Sequence, residues 1–93
     1  MAKARIHIIG KVQGVFFRHS AKEQAKGLKI SGWVKNLPDG SVLCEVSGEE
    51  ISVKEFINWC KKGPPRAQVI DTQIDFLKEQ NGNIEPKDFE IIR

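Results

Sequence analysis

Glycine and proline interrupt this 93-residue chain so often that only short elements fit between the breaks. The breaks fall at Gly10/Gly14, Gly27, Pro38-Asp39-Gly40, Gly48, Gly63-Pro64-Pro65 and Asn81-Gly82-Asn83. Residues 5–12 read as a strand, with Ile6, Ile8, Gly10 and Val12 on one face and Arg5, His7, Ile9 and Lys11 on the other. The next segment reads as a helix over about residues 19–26, with Phe17, Ala21, Ala25 and Leu28 as its apolar stripe and Gly27 as its stop. Residues 30–37 and 41–47 read as two strands. Pro38-Asp39-Gly40 joins them as a hairpin turn, because Pro presets φ and Gly supplies a positive φ. A second helix is predicted from Ser52 and Glu55, spaced as a capping box, and from Val53, Phe56, Ile57 and Cys60 at i, i+3, i+4 and i+7. Gly63 and Pro64 end it. Strands over 68–76 and 89–92 complete the pattern.

The order is βαββαβ, which predicts an α+β, ferredoxin-like sandwich: an antiparallel sheet with two helices on one face. Right-handed crossovers then place the third strand between the first and second. The C-terminal ends of strands one and two meet at one sheet edge, about 10 Å apart. Residues 1–93 are expected to form one domain. At 40% hydrophobic and 29% charged residues, the chain has enough apolar surface to fold.

Several function classes drop out. The longest apolar runs are far too short to span a membrane, and no export signal is legible, so a cytoplasmic protein is expected. A net charge of +3, with acidic residues interspersed, suits a small anion better than a nucleic-acid track. Cys44 and Cys60 alone make neither a disulfide framework nor a four-ligand metal site, and two buried thiols are expected. No His or carboxylate cluster marks a metal, so no cofactor is expected.

Two stretches share the predicted edge. In Val12-Gln13-Gly14-Val15-Phe16-Phe17-Arg18, Gly14 permits a tight turn into a helix N-terminus, whose free amides can cradle an anion. Arg18 adds a planar fork of donors, and no carboxylate occurs in residues 1–22. An ordinary strand-to-helix turn with a solvated Arg18 fits the same residues. In Gly32-Trp33-Val34-Lys35-Asn36-Leu37-Pro38-Asp39-Gly40, Asn36 has the parity of Ile30, Gly32 and Val34. It either orients a ligand or water, or caps the turn. His7 and His19 are expected to be structural or solvated.

Together these stretches resemble the acylphosphatase family. The resemblance continues through Ser41-Val42, Gly48-Glu49-Glu50, Trp59, Lys62-Gly63-Pro64-Pro65 and Phe89-Glu90-Ile91, and it covers essentially the whole chain. It implies hydrolysis of the carboxyl–phosphate anhydride of a small-molecule acyl phosphate by a monomer, without nucleic acid or membrane. It further implies that Arg18 binds the phosphate, with the amides of Gly14, Val15, Phe16 and Phe17, and that Asn36 positions the water.

The chemistry is consistent with that. Phosphoryl transfer through a loose transition state needs positioning and charge stabilisation. The leaving carboxylate, with a pKa of about 4–5, needs no general acid. A cysteine-dependent phosphatase carries a C-x5-R loop, and here Val12 stands at the Cys position. An RNA-recognition module needs aromatics on its central strands, and residues 41–47 have none. A copper chaperone needs a CxxC in the first loop, and no Walker A motif is present. The remaining alternative is a non-catalytic acylphosphatase-like module that binds phosphate or a partner. A loose preference for small or flexible acyl groups is expected, because no acyl pocket is legible.

Overall fold

Strict alternation along the first strand seats it in the sheet. Ala4, Ile6 and Ile8 are fully buried, while Arg5 faces outward. The computed structural model describes residues 1–77 and 88–92. The Asn81-Gly82-Asn83 turn signal lies outside these. The elements are β1 (Ala2–Lys11), α1 (Phe17–Leu28), β2 (Ser31–Asn36), β3 (Val42–Gly48), α2 (Glu50–Lys62), β4 (Gln68–Leu77) and β5 (Phe89–Ile92). The sheet order is β4-β1-β3-β2-β5. β3 lies between β1 and β2, as the right-handed crossovers require.

The predicted ferredoxin-like fold is what forms, with one correction. The pairs β4–β1, β1–β3 and β3–β2 are antiparallel, but β5 joins β2 in parallel, so the sheet is mixed. In register across it lie Ile74, Ile6, Cys44, Val34 and Ile91. This apolar row packs against the stripes of both helices, Phe17, Ala21 and Ala25 on α1 and Val53, Phe56, Ile57 and Cys60 on α2.

Gly63 ends α2 as expected, but the start of α2 and the stop of α1 needed revision. α2 starts at Glu50, so Ser52 lies inside it and caps nothing. Its N-cap is Glu49, whose carbonyl accepts from Val53 N–H at 2.9 Å, with no side-chain cap bond. α1 runs through Gly27 and stops at Lys29 in the left-handed region (φ 58°). There Ile30 N–H reaches the Ala25 carbonyl (3.0 Å) and Lys29 N–H the Lys26 carbonyl (3.2 Å). These are the paired bonds of a Schellman motif. The burial of Ile30 draws the chain back to the core two residues later than the glycine suggested. Gly32 is held by contact instead: a Cβ there would sit 1.8 Å from the Glu45 carbonyl oxygen across the ladder.

Cys44 and Cys60 are free and fully buried. Burial, then a hydrogen bond with Cys44, pushes the Cys60 thiol well above its ordinary pKa. It is therefore packing material and an unreactive thiol. Cys60→Ala is expected to cost about 1 kcal/mol of stability through lost contacts, with turnover unchanged. Urea melts read beside initial rates check this, and a loss of activity without a loss of stability would contradict it.

Candidate active site

β1 ends at Lys11, and Val12 turns back into the core. The loop then needs two unusual backbone conformations, Gly14 at φ 74° and Phe16 at φ 61°. Their purpose is visible in Phe17. Its ring is buried and lies 5.2 Å from the Trp59 ring of α2. That contact starts α1 at Phe17, two residues earlier than expected from the sequence. Ser20 N–H donates to the Phe16 carbonyl at 2.9 Å and closes the first turn. The amides before Ser20 have no intrahelical acceptor, and the first turn carries no acidic residue. Arg18 thus sits within the first helical turn rather than in the loop.

Asn36 is the last residue of β2, paired in register with Val42. Gly14, Phe16, Phe17, Arg18 and Asn36 line one cavity of about 370 Å³ at the edge where β1 and β2 end. This volume is several times the ~30 Å³ share of a water molecule. Val12, Gln13, His19 and Ile91 complete the lining. Val15, expected at the site through its amide, is buried and is not among the residues that line the cavity. Asn36 Oδ1 is buried and accepts no hydrogen bond from the described residues. A buried acceptor left unpaired is costly to the fold, and this one belongs to a residue that lines the cavity.

Sequence reasoning passed over two features. Gln13 Nε2 donates to the carbonyls of Leu37 and Ser41, both at 2.8 Å. One amide thereby ties the loop after β1 to the chain just beyond Asn36. Only the three-dimensional fold brings residues 13 and 37 together. The second feature is a chain of bonds on the helix-free side. His7 Nε2 lies 2.7 Å from Ser41 Oγ, and Ser41 donates to Asp39 Oδ1 from its hydroxyl (2.5 Å) and its backbone N–H (2.9 Å). Because the Ser41 proton goes to Asp39, His7 Nε2 is the donor to Ser41. Ser41 is therefore not an activated nucleophile, although Ser, His and Asp are all present. Among the described residues no group of three or more His, Cys, Asp and Glu could hold a metal ion. No helix among them is long and apolar enough to cross a membrane.

A ferredoxin-like α+β sandwich with a cavity at one sheet edge is the class that fold and site define. The acylphosphatase family model matches residues 4–91. An acylphosphatase of Rubrobacter xylanophilus is 47% identical over 73 residues, covering 78% of this chain and 66% of that relative. One from Anaeromyxobacter dehalogenans is 45% identical over 75 residues, covering 81% of each. The crystal structure of acylphosphatase from Bacillus subtilis superposes over 100% of both chains, with a TM-score of 0.91 and 33% identity. The chain belongs to the acylphosphatase family.

Asp39 gives a pH-dependent prediction. The Ser41 hydroxyl, then the Ser41 amide, hold its carboxyl below the ordinary aspartate value. The folded pKa lies under the unfolded one, so the turn's contribution is complete above the unfolded value and is lost as pH falls through the folded value. The stability difference between the native protein and Asp39→Asn is therefore expected to hold at neutral pH and to shrink below about pH 4. Urea melts of the pair at neutral and strongly acid pH check this. A difference that grew on acidification would reverse the assignment.

Proposed function

We propose that acyl phosphate hydrolysis, the activity of this family, is carried out here by Arg18, Asn36 and the backbone amides of the loop from Gly14. The observation that carries the proposal is the buried, unpartnered Oδ1 of Asn36, a residue that lines the same cavity as Arg18. A phosphoryl oxygen is itself an acceptor and would be repelled there. A water can donate one O–H to Oδ1 and keep a lone pair for phosphorus. Arg18 offers its fork to two phosphoryl oxygens, and the amides at the start of α1 take others. The water oxygen bonds to phosphorus as the phosphorus–acyl oxygen bond breaks. That electron pair leaves on the carboxylate, and both protons of the water stay with the inorganic phosphate, which forms as dihydrogen phosphate. Nothing must protonate the leaving group, because a carboxylate is stable at neutral pH. The enzyme acts as a monomer in the cytoplasm on a small-molecule acyl phosphate, with no nucleic acid or membrane partner, and sedimentation with native-gel analysis tests the monomer.

Turnover of acetyl and benzoyl phosphate tests the chemistry. Arg18→Ala is expected to lose activity by about 100-fold or more and to weaken competitive inhibition by inorganic phosphate. Arg18→Lys rescues little, since a point charge cannot reproduce the fork. Asn36→Ala is expected to lower kcat with little change in the inhibition constant for phosphate. Lost phosphate inhibition with intact kcat would assign Asn36 to the phosphate instead. Glycerol phosphate, whose alkoxide leaves only when protonated, is expected to be a poor substrate. A folded protein that turned over none of the three would be a phosphate- or partner-binding module.

Catalysis is also expected to survive EDTA, because the proposed charge stabilisation comes from Arg18 and amides. Loss of activity that a divalent ion restored would overturn that.

A further inference from the structure

Phe16 is the one large apolar side chain lining the cavity that the core does not bury. Phe16 is 73% exposed, whereas Phe17 and Val12 are buried and Ile91 packs against the core. Its backbone lies at φ 61°, ψ 26°, the left-handed region that a bulky residue avoids. Glycine or asparagine would hold the same turn at lower cost. Folding therefore gains neither favourable backbone geometry nor burial from a phenylalanine here. An outlier of this kind, at a site, points to a role toward a ligand.

The chemistry of the lining says which part of the ligand. Arg18 and the amides at the start of α1 are polar donors and suit the phosphoryl oxygens. The acyl group is the part with apolar surface, and of the apolar residues that line the cavity Phe16 alone is exposed. We propose that the Phe16 ring is the contact surface for the acyl group, favouring acyl phosphates with flat aromatic or extended apolar acyl groups over acetyl-sized ones. The inference rests on the acyl phosphate hydrolysis at this cavity proposed above, and it replaces the loose preference for small acyl groups expected from the sequence. The ring contributes to binding the acyl part and takes no part in the bond changes. Its neighbour Phe17, buried against Trp59, cannot serve, because its ring is committed to the core.

The test compares variants on two substrates, so that the intrinsic reactivity of each anhydride cancels. kcat/KM is measured on benzoyl phosphate and on acetyl phosphate for the native protein, Phe16→Asn and Phe16→Trp, with the inhibition constant of inorganic phosphate for each. Asparagine accepts the left-handed backbone and removes the ring, and tryptophan keeps an aromatic face. In Phe16→Asn the benzoyl-to-acetyl ratio is expected to fall roughly three- to tenfold, the range for one lost aromatic contact. Phosphate inhibition is expected to change much less, and Phe16→Trp to keep the ratio within about twofold of native. An unchanged ratio in Phe16→Asn, with both substrates turned over, would overturn the inference. So would loss of phosphate inhibition in step with the loss on benzoyl phosphate, which would make Phe16 a backbone residue only. If the ratio fell while Asn36→Ala kept full kcat, the ring contact would stand and the water assignment would fail. A native protein that hydrolysed neither substrate would remove both.

Discussion

The burial of Phe17 against Trp59 is the contact on which the rest of the site depends. Trp59 in turn lies 5.9 Å from Phe56, and Phe56 lies 5.7 Å from Phe89 of β5, all measured between ring centroids. One aromatic chain therefore links the start of α1, the middle of α2 and the last strand. Even Gly63 serves this contact, since a Cβ there would come within 2.9 Å of the Phe17 ring. With Phe17 pulled inward, the first turn of α1 has one possible position, and its free amides border the cavity. Phe16, one residue earlier, must reverse the chain and point outward. The inward Phe17 and the outward Phe16 are thus two results of one packing constraint.

The second arm of the cavity is set by topology. Two right-handed crossovers force β3 between β1 and β2, which brings Lys11 and Asn36 to the same sheet edge. Topology alone fixes this to within a strand spacing or two, about 5–10 Å, and a site needs much finer placement. Gln13 supplies it by bonding two carbonyls of the hairpin. Its Leu37 bond lies next to Asn36, and its Ser41 bond lies on the residue that also receives His7 and holds Asp39. The loop after β1, the end of β2 and the helix-free face are in this way one hydrogen-bonded unit.

What the sequence made legible was whatever has a period or a local motif. The stripes at Phe17/Ala21/Ala25 and Val53/Phe56/Ile57/Cys60, and the parity that put Asn36 on the core side, all depend on spacing along the chain. The errors arose where a tertiary contact outweighed a local signal. Ser52-x-x-Glu55 has the form of a capping box, yet the helix starts at Glu50. Gly27 looks like a stop, yet burial of Ile30 carries α1 on to Lys29. The parallel pairing of β5 with β2 has no local signal at all. Neither Gln13 nor the unpartnered Asn36 Oδ1 could be seen from one dimension, because each is defined by what lies across space from it.

Acid groups near the cavity are handled in a way that fits an anhydride substrate. Asp39 follows Asn36 by three positions and could have been a proton donor to a departing oxygen. It is instead held ionised by two bonds from Ser41, both internal to the turn. An ionised carboxylate with its acceptor oxygen occupied donates nothing. Positive and dipolar groups at the cavity therefore favour the phosphoryl oxygens, and Asp39 does not protonate what leaves. Charge stabilisation without proton donation suffices for a leaving group that is already a weak base, and fails for an alkoxide. The turn that shapes the end of β2 thereby also limits the proposed chemistry to acyl phosphates. The same two bonds from Ser41 do both, since they order the turn and hold the Asp39 proton off.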